Sequence, residues 1–143
     1  MGTLTLESLK GEFVGIDTAP LIYFIEEHPQ WISKLKPLFD WHAQGQFTFV
    51  SSTLTLTEVL ILPMRNQRPD LCRLYEDFLL NSDHIRICAM DYRVAKQAAW
   101  LRARYNISIA DAIQLAVCIV NECTIFLTND KALKKVTELT VTT

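Results

Sequence analysis

Phe13-Val14-Gly15-Ile16-Asp17-Thr18-Ala19-Pro20-Leu21-Ile22-Tyr23 is the stretch on which the fold turns. Its first five residues form a short apolar run that predicts a strand, Phe13–Asp17. Pro20 suits the opening of a helix, predicted over Leu21–Glu27. Asp17 is the only charged residue between Val14 and Ile25. It closes a strand and precedes a helix, and ligands of open α/β sheets bind outside such carboxyl ends of strands.

Working outward, the same alternation recurs. Phe47–Ser51, Ile85–Cys88, Thr124–Thr128 and Leu139–Thr142 are short runs rich in β-branched or aromatic residues and predict strands. Helical spacing marks Trp31–Gln44, Leu54–Leu62, Pro69–Asn81, Tyr92–Tyr105 and Ile109–Glu122, with a shorter helix at Lys131–Lys135. Leu54–Leu62 reads as buried nearly all round. Strands separated by helices predict an α/β, three-layer α/β/α fold around a central parallel sheet of four to five strands. With no internal repeat and no linker, residues 1–143 form one domain.

Composition excludes several classes. Half of the residues are hydrophobic and 21% charged, as in globular rather than disordered chains. No apolar stretch reaches the ~18 residues of a membrane span. Met1–Lys10 lacks the basic and apolar regions of a secretory leader, so a cytoplasmic location is expected. Cys72, Cys88, Cys118 and Cys123 show no C-x-x-C pair, and His28, His42 and His84 are scattered, which argues against zinc and for reduced, packed thiols. The net charge of −2 neither favours nor excludes a polyanionic substrate, because the chain apart from its isolated carboxylates is mildly basic.

Three further carboxylates are isolated as Asp17 is. Glu58 is the only charged residue in Val50–Met64 and Asp111 the only one in Ile107–Val120, while Asp130 follows the uncharged run Cys123–Asn129. Each has a local explanation. Asp17 can cap a helix. Ser108-Ile109-Ala110-Asp111 matches a capping box. Asp130 can start a turn or the helix Lys131–Lys135. Glu58 has the weakest such account, with no cation in its helix before Arg65. One shared acidic cluster is more economical than four separate explanations. Two carboxylates about 4 Å apart repel by ~1 kcal/mol in water and ~4 kcal/mol at an effective dielectric of 20. Such a cluster therefore either takes up protons or holds a cation, and an all-oxygen donor set points to Mg2+ or Mn2+.

In order, these acids resemble those of PIN domains, and most of all the VapC-type toxins of bacterial toxin–antitoxin pairs. The resemblance runs from about Phe13 to Val141. It is carried by Ile16-Asp17-Thr18-Ala19-Pro20-Leu21-Ile22-Tyr23, then Leu54-Thr55-Leu56-Thr57-Glu58-Val59-Leu60 with Pro63-Met64-Arg65. Next come Ala98–Tyr105 leading into Ile109-Ala110-Asp111-Ala112-Ile113-Gln114-Leu115-Ala116, and last Leu127-Thr128-Asn129-Asp130. It implies a Mg2+- or Mn2+-dependent endoribonuclease. Asp17, Glu58, Asp111 and Asp130 would form the metal-binding and catalytic centre, and Thr128 would orient a carboxylate or a metal-bound water. It also implies an RNA substrate, a homodimer and a cognate antitoxin.

Arg65, Arg102, Arg104 and Lys131, near these motifs, are candidates for phosphate contacts, against the simpler reading of solvated surface charges. Trp31, Trp41 and Trp100 could stack on bases, although their helical spacing suits packing better. Two other functions remain open. One is a catalytically silent binding module on the same fold. The other is a small-molecule phosphohydrolase with Asp17 as nucleophile, which usually needs a second Asp two residues on; position 19 is Ala.

Overall fold

Alternation along Phe13–Ile16 organises the molecule. This strand, β1, sends Val14 and Ile16 to one face of the sheet and Gly15 to the other. The computed structural model of the chain describes residues 5–142. β1 is the middle of a five-stranded, wholly parallel sheet in the order β3-β2-β1-β4-β5. The other strands are β2 (Thr48–Ser52), β3 (Ile85–Cys88), β4 (Ile125–Leu127) and β5 (Thr140–Thr142). Val14 lies beside Phe49 of β2 and Ile125 of β4.

The connecting helices are α1 (Thr18–Ile25), α2 (Ile32–Ala43), α3 (Thr53–Arg65), α4 (Pro69–Asn81), α5 (Tyr92–Tyr105) and α6 (Ile109–Val120). Two apolar cores lie on opposite faces of the sheet. One joins Val14, Ile16, Phe49, Ile125 and Leu127 to residues of α1–α4, including Leu21, Phe39, Val59, Tyr75 and Leu79. The other joins Val50 and Phe126 to Val94, Ala98 and Leu101 of α5 and to Ala112, Leu115, Ala116 and Cys118 of α6. The three-layer α/β/α arrangement expected from the sequence is the one observed, with the upper strand count.

Two helix starts and the burial of one helix differ from expectation for local reasons. α1 starts at Thr18 rather than Leu21, because the Asp17 carboxylate already accepts from the Thr18 N–H and caps it. Pro20 sits in the first turn, where a missing N–H costs nothing. α3 starts at Thr53, where the Ser52 hydroxyl caps it by accepting from the Thr55 N–H at 3.2 Å. α3 is also not buried all round. Only the stripe Thr55, Val59 and Pro63 is buried, whereas Leu62 is 59% and Met64 61% exposed. An outer-layer helix packs one stripe on the sheet, so its remaining apolar residues stay at the surface.

Gly15 is fixed by contact rather than by backbone angle. A Cβ there would stand 2.2 Å from Cys118 Sγ and 2.9 Å from Phe126 Cδ1. The missing side chain lets α6 settle directly onto β1. Gly15→Ala should force α6 outward and cost about 1–3 kcal/mol or more of stability in urea denaturation. An unchanged midpoint would show that the helix is not held this close.

Candidate acidic centre

The order of the sheet reverses at β1. The chain moves to β2 and β3 on one side, then crosses to β4 and β5 on the other. The crevice at the carboxyl ends of β1 and β4 is thus the place for a ligand. Asp17 leaves β1 there, and Thr128-Asn129-Asp130 leaves β4. The backbone joins the two strand ends as well, with the Asp17 N–H donating to the Leu127 carbonyl at 2.8 Å. Parallel strands followed by returning helices also bring the first turn of α6, carrying Asp111, to this edge.

Asp17 is half-buried and held through both oxygens. Oδ1 accepts from the Thr18 N–H at 2.8 Å, and Oδ2 accepts from the Thr128 hydroxyl at 2.7 Å. Thr128, itself buried, accepts from the Asp130 N–H at 3.0 Å. Its hydroxyl is thus tied to the Asp17 carboxylate and to the start of the turn at Asp130. Glu58 is held differently. The Thr18 hydroxyl donates to its Oε1 at 2.8 Å and the Gln114 amide donates to the same oxygen at 3.2 Å. No hydrogen bond to Oε2 is formed among the described residues. Asp111 receives only half of a capping box. Ser108 Oγ accepts from the Asp111 N–H at 3.1 Å, but among the described residues the Asp111 carboxylate makes no hydrogen bond. Asp130 is exposed and caps the 3-10 turn Lys131–Lys135, accepting from the Ala132 N–H at 2.9 Å.

Electrostatics tie three of these acids together. Burial pushes the Asp17 carboxyl above its ordinary 3.8; hydrogen bonds from Thr128 and Thr18 pull it back, and the charges of Asp111 and Glu58 raise it further. Asp17 thus lies within the fields of both Asp111 and Glu58. Among the described residues no three His, Cys, Asp or Glu side chains close into a ready-made metal cage. The donor set still fits a hard cation that keeps part of its water shell, as Mg2+ does when held by one or two carboxylates. It is all oxygen, Asp17 feels the charges of Asp111 and Glu58, and among the described residues Glu58 Oε2 and the Asp111 carboxylate are unengaged.

The cations suggested by the sequence divide into two pairs. Arg102 donates to the Ile107 carbonyl and so braces the loop before α6, and the Arg104 guanidinium lies 5.4 Å from the Tyr105 ring centroid and 6.0 Å from that of Trp100. Arg65 and Lys131 are exposed, and neither forms an ion pair among the described residues. Of the tryptophans, Trp31 stacks on Tyr23 with centroids 5.8 Å apart, in the wall of a cavity of about 270 Å3 that also includes Thr128 and Asn129. Trp41 packs into the core under α2, and Trp100 is exposed on α5.

Sequence reading missed the support beneath the acids. Thr18, Ser52, Thr55 and Gln114 form a connected polar network under Glu58. A signal for one of them was present: Gln114 is the only polar residue in the apolar run Ala112–Val120. It is as isolated as the carboxylates, but uncharged.

Because the folded protein binds the Asp17 proton more tightly than the unfolded chain, ionising Asp17 costs the folded state stability. The cost is absent below 3.8 and grows as pH rises through the raised value. In urea denaturation without divalent metal, the stability difference between Asp17→Asn and wild type should shift in the variant's favour from about pH 4 to about pH 7. A difference independent of pH would contradict the assigned environment.

The sequence matches the family model of the PIN domain over residues 14–139. Comparison with curated proteins gives no match. Among solved structures, the fold is similar to VapBC2 from Rickettsia felis bound to a DNA fragment from their promoter. That match has a TM-score of 0.70 and 18% identity, covering 91% of this chain and 97% of that one. A toxin–antitoxin complex from Klebsiella pneumoniae is similar at a TM-score of 0.67 and 19% identity, covering 91% and 96%. So is VapC20 from Mycobacterium tuberculosis, described as a sarcin–ricin loop cleaving toxin, at 0.68 and 17%, covering 89% and 98%. At these identities the structures speak for the fold, while the family match spans most of the sequence: the chain belongs to the PIN domain family.

Proposed function

We propose that the protein is a Mg2+- or Mn2+-dependent endoribonuclease and the toxin of a toxin–antitoxin pair. The observation that carries this reading is the placement of Asp17 at the reversal point of the sheet, where Asp111 and Glu58 are near enough for their charges to raise its carboxyl. Asp17, Glu58 and Asp111 would hold the cation, with Asp130 at the rim. A bound divalent ion supplies an acidified water for attack on phosphorus and positive charge for the leaving oxygen. The chain's own contribution is positional. Thr128 fixes Asp17, Thr18 ties Asp17 to Glu58, and the apolar cores on both faces of the sheet keep the strand ends rigid.

Arg65 and Lys131, free of ion pairs among the described residues, are the better candidates for phosphate contacts; Arg102 and Arg104 would act only by giving up their present contacts. Antitoxin binding fits the cavity beside Thr128, whose walls include Leu35, Leu38, Tyr23 and Trp31 and could take apolar side chains of a peptide. A homodimer would use exposed apolar residues such as Met90 and Ile109. The toxin-antitoxin complexes among the structural neighbours support looking for such a partner.

Asp17→Asn and Asp111→Asn should each reduce metal-dependent RNA cleavage to below about one hundredth of wild type, a loss of roughly 2.7 kcal/mol of transition-state stabilisation, while circular dichroism stays native. Wild-type rates in both variants would refute the acidic-centre reading. A wild-type protein that binds Mn2+ but cuts no RNA would instead identify a silent binding module. Asp130→Asn should cost less than either, because its present hydrogen bond caps a turn. A loss equal to that of Asp17→Asn would place Asp130 in the centre on the same footing.

A further inference from the structure

We propose, building on that function, that Gln114 is a positioning residue for the acidic centre: together with Thr18 it holds Glu58 through Oε1 alone and leaves Oε2 for the divalent cation. Gln114 is 3% exposed on an otherwise apolar stretch of α6. A buried amide is costly unless its groups find partners, and here both ends do. Its Oε1 accepts from the Ser52 hydroxyl at 3.0 Å. Its Nε2 donates to Thr55 Oγ1 at 2.6 Å and to Glu58 Oε1 at 3.2 Å, with Thr18 Oγ1 a longer contact at 3.4 Å.

The direction of the amide is dictated by its surroundings. An ionised Glu58 can only accept, so it must meet the NH2 end. Ser52 Oγ already accepts from the Thr55 N–H, which leaves its own hydrogen for the Gln114 carbonyl. Thr18 completes the arrangement. Its N–H donates to Asp17 Oδ1 and its hydroxyl to Glu58 Oε1, so one residue sets the spacing of two acids.

The chemical type matters as much as the geometry. A lysine or arginine at position 114 would orient Glu58 and also neutralise it, competing with the cation. A neutral amide and a neutral hydroxyl orient the carboxylate and leave its charge uncompensated. Outer partners of metal-binding carboxylates typically change metal affinity 10- to 100-fold when removed.

The test is a Mn2+ titration of the full chain followed by the EPR signal of free Mn2+, with steady-state RNA cleavage and thermal melting in parallel. The variants are Gln114→Met, Thr18→Val, Thr18→Ser and a packing control, Phe47→Leu, at the opposite edge of the sheet. Gln114→Met and Thr18→Val should bind Mn2+ at least about tenfold more weakly and lose kcat with little change in the KM for RNA. Thr18→Ser, which keeps the hydroxyl, should bind as wild type. Phe47→Leu should melt lower with unchanged Mn2+ affinity. The proposal is overturned if folded Gln114→Met keeps wild-type affinity, or if Phe47→Leu weakens Mn2+ as much. Should Gln114→Met not fold, equal affinities of Thr18→Val and Thr18→Ser overturn it. A wild type that binds no Mn2+ removes the acidic-centre reading itself, and the positioning role with it.

Discussion

The contact of Cys118 on Gly15 is the constraint from which the site follows. It seats α6 against β1 with the small Cys118 side chain packed where a Cβ on Gly15 would be. Cys118, Gln114 and Asp111 are spaced by four and three residues, which puts them on one stripe of the helix. Along that stripe the helix rises about 10 Å from Cys118 to Asp111. Seating its lower part on Gly15 therefore carries Gln114 to the level of Glu58 and Asp111 to the mouth of the crevice. Packing, the proposed positioning and the proposed chemistry are three successive steps along one helix face.

That logic explains why much of the fold could be read from sequence. Strands in a parallel sheet covered on both faces are short, continuous apolar runs, and Phe13–Ile16 and Ile125–Leu127 are such runs; the edge strand Ile85–Cys88 departs from this only at the exposed Arg86. Pro69–Asn81 and Tyr92–Tyr105 are helices with the predicted bounds, since Pro69 at the first position of one and Asp91 as the cap of the other mark their starts. The isolated acids stood out for the same reason: a charge inside an apolar run calls for a partner.

What was not legible depends on pairs distant in sequence. The bond from Gln114 to Glu58 spans 56 residues and that from Thr128 to Asp17 spans 111. Periodicity places each residue on its own element and says nothing of which hydroxyl meets which carboxylate. The surface of α3 failed for a related reason. A stretch rich in apolar residues looks the same in sequence whether a second layer covers it or not, and Leu62 and Met64 are left uncovered in the chain alone.

The manner of support explains how the protein tolerates a site that works against its own folding. Burying Asp17 within the fields of Asp111 and Glu58 raises the free energy of its ionised form in the folded state. Salt bridges would relieve that repulsion but would fill the crevice with fixed positive charge. The chain instead uses hydroxyl, amide and backbone N–H donors, which satisfy individual oxygens and leave the charge in place. The strain is then offset by packing elsewhere, in the two cores on either face of the sheet. A divalent ion bound as proposed would stabilise such a centre, drawing its affinity from the unneutralised carboxylates.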